Sequence, residues 1–150
     1  MNKFDEITMY ELALLHSRAD RALRFVIARA LEQYGITMMQ WLLLATVQNG
    51  PKNGMRMSEL ADTLDVTMPQ ITALMNDVVK LKLAKQKINN HDRRSRQLMI
   101  TSGGSQQLKQ IEATIDKTLR SWLNDIDNDE LGAYITTVQR LAELDTDQSA

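Results

Sequence analysis

Ala84-Lys85-Gln86-Lys87-Ile88-Asn89, Asn90-His91-Asp92-Arg93-Arg94-Ser95 and Arg96-Gln97-Leu98-Met99-Ile100-Thr101 are three consecutive runs with different characters. The first alternates small or apolar with polar side chains, the period-2 signature of a strand with one face covered. The second is short and charged, the composition of a connecting loop. The third returns to strand-forming residues. Together they predict a β-hairpin carrying its positive charge at the tip. Upstream, Ser58 is placed to cap a helix in which Leu60, Ala61 and Leu64 share a face. Asp65-Val66-Thr67 then makes a turn, and Thr67 caps a further helix that tolerates Pro69 in its first turn. Ile71, Leu74, Met75, Val78 and Leu81 mark the side of that helix expected to be buried.

Two short helices joined by a tight turn are a weak signal alone, because any helical hairpin has the same pattern. The β-hairpin directly behind them makes it specific. Helix, turn, helix and basic hairpin in that order predict a winged helix, whose second helix enters the major groove while the hairpin flanks it on the backbone or in the minor groove. A net charge of −1 would argue against a polyanionic partner. The average hides a separation, however. Lys80, Lys82, Lys85, Lys87, Arg93, Arg94 and Arg96 face Asp92 alone, whereas Asp125, Asp127, Asp129, Glu130, Glu143, Asp145 and Asp147 gather towards the end beside Arg140. A charge run is equally a solvated face, and the preceding helices are what favour an anion-binding surface. Because strand residues alternate between faces, only some of the lysines can reach phosphate.

Working outward, apolar residues recur with helical period at Leu12, Leu15, Ala19, Leu23, Val26, Ile27, Ala30 and Leu31, a long helix stopped by Gly35. Thr37 is placed to cap a second helix ending near Gln48, Asn49 to Gly54 is a strong loop signal, and Met55-Arg56-Met57 is a short extended piece. Beyond the hairpin, Thr101-Ser102 opens a helix with Leu108, Ile111, Ile115, Leu119, Trp122 and Leu123 on its apolar side. Asp127 or Asn128 caps a last helix carrying Leu131, Ile135, Val138, Leu141 and Leu144. The expected fold is mainly α with a small β-hairpin wing (α+β). A winged helix-turn-helix at about 55–101 sits in a single domain 1–150, with dimerisation helices at about 5–33 and 103–145. A winged helix needs only about half of such a chain, so the flanking stripes must be covered by something else. A second copy is the economical cover, since a two-fold dimer offers two reading helices to half-sites roughly 34–36 Å apart.

With 43% hydrophobic and 25% charged residues, Gly 6 and Pro 2, the composition fits a helix-rich globular chain. Cys 0 removes disulfides, thiolate metal sites and thiol redox chemistry, and suits a cytoplasmic protein. His16 and His91 lie in different elements, so no metal is expected. With no glycine-rich phosphate loop and no nucleophile and base pair, no cofactor and no enzymatic activity are expected either. Met1 to Glu6 lacks the pattern of a signal peptide, and no apolar run reaches the ~20 residues of a membrane span. The longest, Trp41 to Val47, reads as a core helix segment. His16 is expected to be partly buried and hydrogen-bonded, Trp41 and Trp122 to be core aromatics, and the methionines to fill gaps.

The run Asn90 to Gly104, with Asp92-Arg93-Arg94, a strand ending in Ile100-Thr101 and a glycine three residues on, resembles the wing signature of the MarR family. Met57-Ser58-Glu59-Leu60-Ala61 with Leu64 is similar to that family's third helix, and the element order agrees along the chain. The resemblance implies a homodimeric transcription regulator, usually a repressor, that binds a pseudo-palindromic double-stranded DNA operator. It also implies release when a small aromatic or anionic effector binds between the dimer helices and the reading domain. By the same resemblance Arg94 is a wing-tip residue entering the minor groove, and Asp92 with Arg93 forms the charged pair that shapes the wing. Thr67, Pro69, Gln70, Thr72, Ala73 and Asn76 fall where family members touch DNA. The chemistry is compatible. Gln70 can bond adenine N6 and N7, Ala73 or Met68 can meet a thymine methyl, and Thr67 or Thr72 can donate to phosphate. Lys80, Arg93, Arg94 and Arg96 complete the expected DNA-binding set. Pro69 stands where the family often has Ser or Thr, and Ala73 and Asp77 where it often has Arg, which shifts expected specificity towards A·T contacts and groove width. Lys82 replaces a common Gly, so the turn before the wing is expected to differ. The reading from another class is a winged-helix interaction module whose basic hairpin docks an acidic protein or RNA.

Overall fold

The computed structural model describes residues 6–89 and 92–147, with the backbone alone at 89, 92–94 and 145–147. The chain divides into two compact units, the first running to Thr118 and the second starting at Leu119.

In the first unit, α1 (Met9–Leu31) starts at a reciprocal cap. Thr8 Oγ1 accepts from the Glu11 N–H at 3.1 Å and the Glu11 carboxylate accepts from the Thr8 N–H at 2.9 Å. The backbone bond first, and the Thr8 hydroxyl second, hold the Glu11 carboxyl below its ordinary range. A 3₁₀ turn, Glu32–Tyr34, tightens the far end, and Gly35 takes the left-handed conformation there at φ 66°. Thr37 and Gln40 form the same reciprocal cap on α2 (Met38–Asn49). Of the α1 stripe, Ile27, Ala30 and Leu31 are buried, whereas Leu12 and Leu15 are exposed. His16 is exposed as well, against expectation, because it lies about three helical turns before the buried segment begins.

A short strand, β1 (Met55–Arg56), passes directly into α3 (Met57–Leu64). The N-cap is Arg56, whose N–H donates to Glu59 at 2.9 Å. Ser58 therefore lies inside the first turn and does not cap. Asp65 reverses the chain at φ 52°, with the Val66 N–H donating to the Ala61 carbonyl at 3.0 Å. Then α4 (Met68–Lys80) begins, capped by Thr67 and carrying Pro69 in its first turn. Its end keeps the left-handed turn in spite of the lysine. Lys82 sits at φ 61°, and the N–H groups of Lys82 and Leu83 donate to the Val79 and Val78 carbonyls at 2.9 and 3.0 Å. That turn swings Leu81 outward to 45% exposure and gives its expected core place to Leu83.

Strands β2 (Ala84–Asn89) and β3 (Asp92–Ile100) form the hairpin, and β1 adds a third antiparallel strand in the order β1-β3-β2. Met55 pairs with Leu98 and Arg56 with Gln97, so the extended piece before α3 is an edge strand. Asp92 to Ser95 belong to β3 and not to a loop. Ile88 opposes Arg96 while Asn89 opposes Asp92, so Arg93, Arg94 and Ser95 form a bulge that keeps the strand paired on both sides.

Helices and sheet meet around Leu31, Leu43, Leu44, Leu60, Ile71, Met75, Val78, Leu98, Leu108 and Ile111, each no more than 1% exposed. Burying each contributes about 1.5–3 kcal/mol before entropy is counted. Trp41 is half-buried beside this core, its Nε1 buried without a hydrogen-bond partner among the described residues. The base of the hairpin is latched to α5 (Ser102–Trp122). The Thr101 N–H donates to the Leu83 carbonyl at 3.0 Å, and the Gly104 N–H donates to Thr101 Oγ1 at 2.9 Å. A Cβ at Gly104 would collide with the Leu83 carbonyl, so this approach requires glycine.

The second unit holds the end of α5 and α6 (Asn128–Asp147), which Asp127 caps by accepting from the Asp129 N–H at 2.6 Å. Ile135, Val138, Leu141 and Leu144 are all exposed on α6. Trp122, expected in the core, is 44% exposed because it lies past the buried run that ends at Ile115. Among the described residues no helix is long and apolar enough to cross a membrane.

Candidate nucleic-acid interface

The first turn of α4 is exposed from Thr67 through Met68 and Pro69 to Gln70, and Ala73, Asn76 and Lys80 continue that exposure along the helix. Their spacing of three to four residues puts them on one side, opposite the buried Ile71, Met75 and Val78. Two features of the sequence produce this. The reciprocal Thr67 and Gln70 cap fixes where the helix begins, and the apolar period fixes which side is covered.

Several polar groups on this surface are already engaged. Gln70 Oε1 accepts from the Thr67 N–H at 2.9 Å and from the Thr67 hydroxyl at 3.1 Å. The half-buried Thr72 hydroxyl lies 2.8 Å from the Met68 carbonyl, to which it donates. With their protons used inside the helix, both hydroxyls must rotate before they can donate to phosphate. Asp77 is half-buried and accepts from Gln40 Nε2 at 3.4 Å, so its carboxylate is directed to α2 and not along the exposed side. The sequence makes Asp77 a departure from a cationic position; in the fold its carboxylate is engaged by Gln40 of α2.

Beside α4 stands the hairpin. Gln86 Nε2 donates to Asn76 Oδ1 at 3.1 Å, tying β2 to the helix. Ladder register puts Gln86, Leu98 and Arg96 on this inner side, while Lys85 and Lys87 share the outer side and are exposed. Arg96 is half-buried on the side facing α4. Asp92, Arg93 and Arg94 have their backbone in the β3 bulge, and their side chains lie outside the described residues, as His91 does entirely. Gln86 and Gln40 are contributors that sequence reasoning missed. The alternation of β2 carries a signal for Gln86, since it shares a face with buried Ala84.

The arrangement offers an exposed helix start bearing amide and methyl groups, with cations on a neighbouring hairpin. A protein that reads base edges and neutralises phosphates needs these elements together.

The MarR family model matches residues 34–95, from the 3₁₀ turn through α2, α3 and α4 into β3. Similar solved structures include a MarR family transcriptional regulator from Rhodococcus sp. RHA1, at 18% identity and TM-score 0.81, covering 91% of this chain and 95% of that one. The S. aureus MepR–DNA complex aligns at 17% identity and TM-score 0.77, covering 91% and 98%. CouR from Rhodococcus jostii RHA1 bound to p-coumaroyl-CoA aligns at 19% identity and TM-score 0.76, covering 88% and 92%. Residues 34–95 thus match the MarR family model, and over about nine-tenths of its length the chain has the winged-helix fold of solved MarR family transcriptional regulators.

Proposed function

We propose that this chain is a sequence-specific regulator of transcription that binds a pseudo-palindromic operator as a homodimer. In this reading α4 enters the major groove, the β2–β3 wing lies alongside, and a small aromatic or anionic ligand releases the DNA and so relieves repression. The observation that carries it is the exposed side of α4, Thr67 to Gln70 with Ala73, Asn76 and Lys80, held beside a cationic hairpin by the Gln86–Asn76 bond. Thr67, Met68, Pro69, Gln70, Thr72, Ala73 and Asn76 are assigned to the groove, and Lys80, Arg93, Arg94 and Arg96 to the backbone and minor groove, with Asp92 shaping the wing.

Two further observations support the assembly and the switch. Met9, Leu12 and Leu15 on α1 are exposed apolar residues at helical spacing, as are Ile135, Val138, Leu141 and Leu144 on α6, and each stripe by itself calls for a partner helix. Among the structural relatives, MepR is seen with DNA and CouR with an acyl-CoA, an anionic and aromatic ligand.

Fluorescence anisotropy over a salt series, with the duplex upstream of the chain's own coding region, tests the reading. Affinity should fall linearly in log–log form, and Arg94→Ala should lower the slope by about 0.9 for one lost phosphate contact. Retention of an acidic protein or an RNA at high salt, with no duplex bound at any salt, would contradict it.

A further inference from the structure

We infer that Gln70 presents hydrogen-bond donors alone to the DNA and so selects guanine, not adenine. The inference rests on the proposed groove-reading role of α4. Gln70 is the third residue of α4 and closes its cap, with Oε1 accepting from both the N–H and the O–H of Thr67 at 2.9 and 3.1 Å. A carbonyl oxygen has two lone pairs, and both are taken. A backbone N–H can only donate, so turning the amide over would set two donors against each other. The orientation is therefore dictated by Thr67, and the exposed Gln70 turns its NH₂ group to an incoming partner.

Major-groove edges discriminate sharply against such a group. Adenine sets its N7 acceptor beside the N6 donor, and the two-point glutamine contact needs an acceptor that Gln70 has already used. Guanine presents N7 and O6 side by side, both acceptors, to which the two N–H bonds of one NH₂ group can be shared. Thymine offers one acceptor at O4, and cytosine offers only a donor. Asn76 is in a different state. Its Oδ1 accepts one bond, from Gln86 Nε2 at 3.1 Å, which leaves a lone pair beside its own NH₂ group. Asn76 thus keeps the two-point contact to adenine that Gln70 has lost. The two amides on one helix face divide the bases between them, and the expectation of an A·T-weighted operator, based on their residue types, changes to a mixed one.

Selection from random duplexes by the parent chain, Gln70→Ala and Gln70→Glu provides the test. The base pair that Gln70 reads is the one whose preference disappears in Gln70→Ala. There the parent should favour guanine by roughly tenfold. Gln70→Glu keeps a capping acceptor but has no donor, so it should move the preference to cytosine, whose N4 donates. Enrichment of adenine at that pair by the parent, guanine retained by Gln70→Glu, or a Gln70→Ala profile identical to the parent's would each overturn the inference while leaving DNA binding intact. Enrichment of no sequence by the parent would overturn the groove-reading role and this inference with it.

Discussion

Replacing Gly104 by alanine puts a methyl group where the Leu83 carbonyl already lies. The added Cβ would also stand 2.8 Å from the Leu83 carbonyl carbon and 3.0 Å from its Cα. Carbon atoms rest at about 3.5–4.0 Å, so α5 and the base of the hairpin must separate by on the order of 1 Å. Leu83 is backbone here, and no flexible side-chain tip can yield. Overpacking of this kind costs about 1–3 kcal/mol. The separation also strains the latch, in which the Leu83 carbonyl accepts from the Thr101 N–H at 3.0 Å and Thr101 Oγ1 accepts from the Gly104 N–H at 2.9 Å. Each such bond is worth about 1 kcal/mol. A loss of about 3 kcal/mol follows, or roughly 6–12 °C in Tm for a chain of this size. Gly103 is the internal control. A Cβ there meets only Thr101 Oγ1, at 4.0 Å, so Gly103→Ala should gain up to about 1 kcal/mol from helix propensity and reduced unfolded-chain freedom. Urea unfolding followed by circular dichroism measures both. Adjacent glycines should thus respond with opposite signs, and a Gly104→Ala variant within 0.5 kcal/mol of its parent, an order-of-magnitude bound for surface changes, would refute the close approach.

Lys82→Gly should add up to about 1 kcal/mol of stability, raising the urea midpoint without changing the slope, because it relieves a lysine held at φ 61°; a lower midpoint would contradict that strained turn. Glu11 should titrate below an ordinary glutamate by NMR. Its folded pKa is depressed by the Thr8 N–H and hydroxyl, so its contribution to α1 is complete above the unfolded value and lost as pH falls through the folded one. Glu11→Gln should flatten that acid dependence, and an unshifted Glu11 titration would count against the cap. In DNA binding, Arg94→Ala should reduce salt dependence at every sequence, whereas Gln70→Ala should relax preference at one base pair.

The parts of the fold legible in the sequence are those set by local chemistry. Thr37 with Gln40 and Thr67 with Gln70 are Thr-x-x-Gln caps, and both caps form. Gly35 marks the end of the first helical segment for the same local reason. The α3 cap escaped because Glu59 closes it on the backbone of Arg56, leaving no Ser or Thr signature. A strand of two residues has no period to read, so β1 was invisible as part of the sheet. Asp92 to Ser95 look like a loop because charge and strand pairing are independent properties, and a bulge satisfies both. Periodicity identified the stripes of α1 and α5 without saying where each becomes buried, which is why His16 and Trp122 proved exposed. At the candidate interface, residue types on α4 were readable but their bonding states were not. The Gln86–Asn76 bond joins two elements, and the bond between Gln40 and Asp77 depends on how α2 packs on α4.

The sequence recovered from a random pool of duplexes bears most directly on the central idea that two copies present α4 and the wing to one DNA. An inverted repeat with half-site centres about 10–10.5 base pairs apart is the predicted result. A single unrepeated motif, or no enrichment at all, would contradict it.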